Sequence, residues 1–503
     1  MENYYFNADH DLFRQGVRQF LQKEVIPHIN TWEKAGEIPK SIWQKMAEMG
    51  YLGLNYPEKY GGSNADFFYS VILLEEISRV NCGGFGAAAG VTPYMAGAHI
   101  LAEGSDFLKE KYLPKSIAGE WVGALAITEP NAGSDVANIC TTAVLEGDEY
   151  IVNGSKTFIT NGVLSDYIVA AVKTETRQGA GGISLLIIDR NTQGVSARKL
   201  NKLGWHASDT GEISFDNVRV PIENLLGQEN RGFFYIMDKF QLERLVMALS
   251  GVAMSEFALE TALQYMNERE AFGRKINKFQ VLRHRIADLA SEITALKYFV
   301  YHICRMHNDG QYAVKEASMA KLLATELADK VMYQCLQFFG GYGFMEDYPL
   351  ARMFRDSRIG TIGGGSSEIM REIISKMVID NVQYDKPQVP VENTSVWTAK
   401  EIILSLSHRL KPHKAAEFNG TFHFDIAGEN GGQFTVTIES GKCLVGEGLS
   451  GEAKCLVETT DKIYEAVESG KLNPQEAFIT GKIKASNPLE LMSFGGFFSR
   501  IEH

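Results

Sequence analysis

Apolar residues recur near helical spacing from the start of the chain. In 9-DHDLFRQGVRQFLQKEVIPHI-29 they are Leu12, Phe13, Val17, Phe20, Leu21 and Val25. Pro27 ends that run because it supplies no backbone donor. The stretches 41–49 and 66–79 read the same way, and 85–103 is small and apolar, as in a packed helix. A helical domain is expected over residues 1–119. Near residue 120 the texture changes to short β-like runs: 121-WVGALAIT-128, 150-YIVNGSKTFITNG-162, 166-DYIVAAV-172, 181-GGISLLIID-189 and 212-EISFDNVRV-220. Asn153-Gly154 and Asn161-Gly162 offer positive-φ positions, which signal hairpins. These runs predict a β domain over 120–229.

Helical periodicity returns over 230–380. Segments 236–268, 277–308, 313–339 and 366–380 are long and have few breakers, and the loops between them are short. That combination implies an antiparallel four-helix bundle. Residues 381–396 hold two prolines among many polar residues and read as a linker. In 397–503 a helix precedes alternating runs, 421-TFHFDI-426, 433-QFTVTI-438 and 453-AKCLVETT-460, followed by a helix near 461–470 and a last helical segment. This is a small α+β unit. The fold class expected for the whole chain is multidomain α+β.

Charge and cysteine usage narrow the function. The formal net charge is −12, which disfavours nucleic-acid binding across the chain, since that needs basic surface against phosphate. A local basic pocket for a phosphorylated ligand stays open. The six cysteines form no CxxC pair, so they read as reduced and mostly buried. The N-terminal MENYYFNADHD is polar and acidic, unlike a secretory signal. No apolar run approaches the roughly 18–20 residues that span a bilayer. No integral membrane segment and a cytoplasmic location are expected. His302 and His307 flank Cys304 but lack a full ligand set, so no metal is expected.

Five strings then carry a resemblance: 126-AITEPNAGSDVANI-139, 154-GSKTFITNG-162, 268-EREAFGRKI-276, 337-QFFGGYGF-344 and 355-RDSRIGTIGGGSSEIMRE-372. Together, in this order and spacing over residues 1–380, they resemble the acyl-CoA dehydrogenase family. The string 470-GKLNPQEAFITGKIKASNPLELM-492 resembles the sterol-carrier-protein-2 domain. The resemblance implies α,β-dehydrogenation of an acyl-CoA thioester with FAD as cofactor, where the protein supplies orientation and electrostatics. It also implies an electron-transferring flavoprotein as partner, a homodimer or homotetramer, and a lipid or acyl chain in the C-terminal domain. Two alternatives stand beside it: an oxidase that uses oxygen directly, and a non-catalytic acyl-lipid carrier on the same scaffold.

The site residues follow from the same resemblance. One branch of the family carries its base in the loop before the last bundle helix, where this chain has Gly364. The isovaleryl- and long-chain-type branches carry it on an earlier helix, and the match in 238-DKFQLERLV-246 is Glu243. Phe240, Val246 and Met247 share its helical face, which would desolvate the carboxylate and raise its pKa. The plain alternative is a surface glutamate paired with Lys239. Gly364 would then offer its backbone N–H to the thioester oxygen. Arg244 is either part of the site or a structural ion pair, and Gln241, Arg244 and Ser134 are the implied substrate contacts. Ile127, Thr128, Ser134, Phe158, Thr160, Ser366 and Glu368 match cofactor contacts, with Ser366 alternatively a simple helix N-cap. Arg269, Phe272, Gln280, Gln337, Gly340 and Gly341 match residues that reach the cofactor of a neighbouring subunit. In the tail, Leu489, Leu491, Met492, Phe494, Phe497 and Phe498 line an apolar tunnel or simply fill a core.

Overall fold

The computed structural model describes residues 4–176, 179–384, 397–415, 418–468 and 472–498. Most of the expected linker, 385–396, lies outside the described residues. The chain divides into two compact units, Met1–Pro387 and Gln388–His503.

The first unit opens with seven helices: α1 (Ala8–Glu24), α2 (Ile29–Ala35), α3 (Ser41–Glu48), α4 (Phe67–Ser78), α5 (Gly83–Val91), α6 (Gly97–Glu103) and α7 (Asp106–Ile117). The first begins with a capping box: Asn7 accepts from the His10 N–H, and the His10 ring accepts from the Asn7 N–H. Asp66 and Ser105 cap α4 and α7 with one side-chain acceptor each, taking the Phe68 and Leu108 N–H groups that a helix leaves open. Almost every side chain of α4 is buried, including Glu75 and Glu76. Arg14 reaches both of them, at 2.8 and 2.9 Å, and Arg18 reaches Glu76 at 2.7 Å.

Eight strands follow: β1 (Gly123–Ala126), β2 (Thr142–Glu146), β3 (Glu149–Ile159), β4 (Tyr167–Lys173), β5 (Ile183–Asp189), β6 (Val195–Lys199), β7 (Gly211–Pro221) and β8 (Leu225–Leu226). They run β6-β7-β3-β2-β4-β5-β8, with β1 parallel to β4. The hairpin expected at Asn153-Gly154 is not there. Both residues lie inside β3, and the ladder to β7 shifts register between Val152 and Gly154. Gly154 has φ +148°, and a Cβ there would stand 2.6 Å from the Thr141 Oγ1. The glycine marks a bulge and a close approach. Asn161, at φ +61°, does turn the chain, and its side-chain amide donates to the carbonyls of Ala88 and Gly123.

Four helices then form the bundle: α8 (Gly232–Glu268), α9 (Gln280–Asn308), α10 (Val314–Phe339) and α12 (Ser367–Val378), with the short α11 (Pro349–Ser357) before the last. Between α8 and α9 lies a two-residue ribbon, β9 (Glu270–Ala271) and β10 (Arg274–Lys275). Leu245 and Leu249 from α8, Ile293 from α9 and Val331 from α10 share one core. By length and composition alone, α8 could cross a membrane, but 61% of that apolar window is buried in the bundle. Among the described residues no group of three or more metal-ligating side chains occurs.

A single carboxylate ties the three parts of this unit together. Asp356 on α11 accepts from the Trp205 N–H at 2.7 Å and from the Gly83 N–H at 2.9 Å. Burial pushes its carboxyl up to about 6, against the pull of those two donors.

Among the described residues the second unit carries a five-stranded sheet, β13-β12-β11-β14-β15, built from β11 (Gly420–Ala427), β12 (Gly432–Glu439), β13 (Lys442–Glu447), β14 (Cys455–Thr460) and β15 (Lys484–Ala485). The edge strand β13 is an element the sequence pattern did not predict. Phe422, Phe424, Phe434 and Val436 point into one core with Ile402 and Ile403 of the helix Ala399–Leu404. Phe494 packs against Phe422 at 4.5 Å and against Phe498 at 4.8 Å, so both belong to this core. Leu491 and Phe497 pack at its margin. The side chains of Leu489 and Met492 lie outside the described residues.

Replacing Asp356 by alanine strands two backbone donors, and the unfolding stability of the first unit should fall by about 2–4 kcal/mol. A urea midpoint unchanged from that of the native chain would show that the donors find other partners.

Candidate active site

The helix α8 carries Glu243 into the bundle, where it is 6% exposed. Among the described residues its Oε1 has no hydrogen-bond partner. Burial pushes the carboxyl up to about 8, with Arg244 pulling the other way. The surface pair with Lys239 does not form; Lys239 binds its neighbour Asp238 at 2.6 Å. A desolvated carboxylate with its pKa near the working range is suited to take up a proton.

Gly364 meets the same helix. It has φ +61°, and a Cβ built on it would lie 2.3 Å from the Met247 Sδ. Met247 follows Glu243 by one helical turn, so the glycine loop and the buried carboxylate converge on one stretch of α8. No hydrogen bond among the described residues engages the Gly364 N–H. Arg244 is buried and reaches Gln241 at 3.3 Å and the Ser318 hydroxyl at 3.4 Å. Among the described residues no carboxylate pairs with it at ion-pair distance, so the structural ion pair weighed above is absent.

On the β domain, Ile127 is buried and Thr128 half-buried, and the Thr128 carbonyl accepts from the Thr157 N–H at 2.9 Å. This locks the 127–128 segment beside 157–160. Phe158 is 70% exposed with φ +62°, an open aromatic face on a strained residue. Thr160 is half-buried and Ser134 exposed. Beneath them lies a pair that sequence reasoning missed. The fully buried Lys156 donates to the Ile127 carbonyl at 3.1 Å and to Glu129 at 2.7 Å. Glu129 also takes the N–H groups of Cys140 and Thr141. Burial lowers the lysine to about 8, with Glu129 opposing. Both residues stand inside quoted strings, but a lysine in a strand reads as solvent-facing until its surroundings are known.

The remaining residues form a separate surface. Arg269, Phe272, Gln280, Gln337, Gly340 and Gly341 are all exposed, Phe272 at 95%. The Arg269 guanidinium lies 5.7 Å from the Tyr342 ring, and Tyr265 stacks on Phe339 at 4.0 Å, which joins the end of α8 to the 337–344 segment. From Glu243 to Arg269 the chain climbs one continuous helix, about 39 Å at 1.5 Å per residue. Ser366 caps α12 by accepting from the Ile369 N–H, and Glu368 is exposed in its first turn.

A pocket of about 500 Å³ meets α8 at Leu242 and is lined by apolar and polar side chains alike, Tyr56, Tyr94 and Leu101 beside Asn55, Asp66 and Asn308.

The acyl-CoA dehydrogenase N-terminal, middle and C-terminal domains match residues 7–120, 124–218 and 230–379, and the SCP-2 sterol transfer family matches 401–493. The long-chain specific acyl-CoA dehydrogenase of Sus scrofa mitochondria is 41% identical over 380 residues, covering 74% of this chain and 87% of that protein. The mitochondrial isovaleryl-CoA dehydrogenase of Oryza sativa is 37% identical over 375 residues, covering 74% and 91%. The crystal structure of the Geobacillus kaustophilus acyl-CoA dehydrogenase aligns with a TM-score of 0.73 at 45% identity, covering 75% of this chain and 99% of that one. This chain therefore belongs to the acyl-CoA dehydrogenase family, as an oxidoreductase acting on acyl-CoA, and ends in an SCP-2 region.

Proposed function

We propose that Glu243 is the catalytic base, removing the α-proton of an acyl-CoA thioester whose carbonyl oxygen is held by the Gly364 N–H. The observation that carries this reading is the buried, unpartnered carboxylate on the helix that Gly364 touches. A donor aimed at the oxygen where charge develops stabilises the transition state. Arg244 and Gln241 orient the substrate from the turn around the base. The pocket at Leu242 offers Tyr94, Ala98 and Leu101 to an acyl tail, beside polar groups such as Asn55 and Asp66. A pure carrier would have no use for a carboxylate kept dry at such cost.

The donor set of the β domain fits FAD. Thr128, Thr160 and Ser134 offer hydroxyls, and the exposed Phe158 ring offers a flat apolar face. When bound, FAD supplies the two-electron acceptor that dehydrogenation requires. Ser366 and Glu368 extend this set. Arg269 suits the pyrophosphate, because a guanidinium binds phosphate oxygens in pairs. Its distance along α8 from Glu243 favours a contribution from a second copy, in a homodimer or homotetramer. An electron-transferring flavoprotein is the partner that would reoxidise the enzyme. The C-terminal unit would retain a lipid or long acyl chain; Phe494 and Phe498 would then move apart to admit it.

Glu243→Gln should keep the flavin absorbance of the native protein and lose about a thousandfold in dehydrogenation. The native rate should rise with pH through about 8, as the base ionises; wild-type bleaching by acyl-CoA in the variant defeats the assignment. The sign for stability is opposite. The folded pKa lies above the ordinary 4.5, so Glu243's contribution is complete below that value and is lost as pH rises through about 8. Glu243→Gln should flatten this decline in a thermal melt.

A carboxylate supplied from the loop must displace Met247. In a Glu243→Gly background, Gly364→Glu with Met247→Ala should recover about tenfold in rate, and Gly364→Glu without it should recover less. Equal recovery by both would refute the crowding.

Removing residues 397–503 should lower kcat/KM for long acyl-CoAs about fivefold more than for short ones, as expected for lost tail binding. Losses equal across a chain-length series would show that the second unit does not help to deliver substrate.

A further inference from the structure

Lys321 lies in the middle of α10 with its side chain fully buried. Buried ammonium groups are ordinarily paired with a carboxylate. Among the described residues Lys321 has no such partner at ion-pair distance. Its Nζ donates instead to the Gly365 carbonyl at 2.5 Å. The charged groups that act on it are Arg244 from α8, Glu326 from α10 itself and Glu368 from α12. Burial, with Arg244 adding to it, lowers the ammonium to about 8.

The contact falls on the part of the chain that most needs holding. Residues 363–365 are three consecutive glycines, the sequence with the widest choice of backbone conformations. Gly364 and Gly365 both have positive φ, +61° and +90°. Upstream, the Gly363 N–H is tied to the Ile359 carbonyl at 2.8 Å. Downstream, Lys321 takes the Gly365 carbonyl. Gly364 sits between these two anchors, with Met247 against it. A methionine at 321 would fill the same volume with no charge to desolvate, so packing alone does not account for a lysine there.

We propose that Lys321 is a positioning residue, which fixes the glycine loop through the Gly365 carbonyl so that the Gly364 N–H is aimed at the substrate's thioester oxygen. This rests on the reading of Glu243 and Gly364 given above. In this role Lys321 acts through the loop, by way of the Gly365 carbonyl.

The test uses the full-length flavin-loaded enzyme and acetoacetyl-CoA as probe. The α-proton of that thioester is acidic and its β-carbon carries no hydrogen, so it can be deprotonated and not dehydrogenated. In K321M, turnover of an acyl-CoA substrate should fall about tenfold in kcat with KM within about threefold, the pattern of a lost transition-state interaction. The pH at which the bound probe becomes its enolate, read by absorbance, should rise by about one unit, which a loss of packing would not cause. K321R should restore kcat to within about threefold of the native value, because it keeps a charged donor.

A folded, flavin-loaded K321M with native kcat and native enolate ionisation overturns the proposal. If K321M does not fold, K321Q takes its place, since its amide still donates to Gly365 without a charge; an intermediate loss in kcat supports the proposal. Failure of both to fold assigns Lys321 to the core and overturns it. Glu243→Gln, measured in parallel, separates the two readings. A native rate there removes the base, whereas an inactive Glu243→Gln beside unaffected Lys321 variants removes only the positioning role.

Discussion

The rest of the site is arranged around the burial of one carboxylate. Glu243 lies within the bundle with an oxygen that no described residue satisfies. Taking an ionised group out of water costs several kcal/mol unless a partner offsets it. The cost is met in part by a shifted pKa, since at about 8 the group is largely neutral in the resting protein. The same desolvation that weakens the fold makes the carboxylate a stronger base, so stability and chemistry oppose each other at this residue.

Holding such a residue requires rigid surroundings, and they are built from other buried polar groups. Asp356 joins the helical, β and bundle parts through two backbone donors. Lys156 and Glu129 pin the 127–129 segment to β3, and Lys321 holds the glycine loop. In each case one side chain of an element immobilises the backbone of another. Low local dielectric makes these bonds strong and makes an unpaired member costly. Lys156 and Lys321 fix geometry at the points where the proposed cofactor and substrate would contact backbone.

The chain also divides into two compact units. The first unit contains the candidate active site and, at the far end of α8, an exposed surface around Arg269 and Phe272. The second unit has its own sheet and its own aromatic core, and its likeness is to a sterol transfer family. Acyl-CoA is amphipathic, with a polar nucleotide and an apolar tail. A redox unit joined to a region that resembles a sterol transfer family is in keeping with a substrate of that character.

Much of this was legible from residue order. Helical periodicity located the bundle helices, and the five collinear strings, with Glu243 in its own helical segment, carried the family likeness. The pattern failed where one local signal has two physical outcomes. Asn153-Gly154 reads as a hairpin, yet pairing with β7 on one side and Thr141 on the other hold the chain extended, and the glycine becomes a bulge. Neither Lys156 nor Lys321 stands out in the sequence, because spacing along a strand or helix does not reveal what packs against it. The carboxylate shows the same division. Its place on a helix and its apolar neighbours were written in the sequence, which is local. Its lack of a partner, its raised pKa and its nearness to Gly364 depend on elements more than a hundred residues apart, and only their packing decided them.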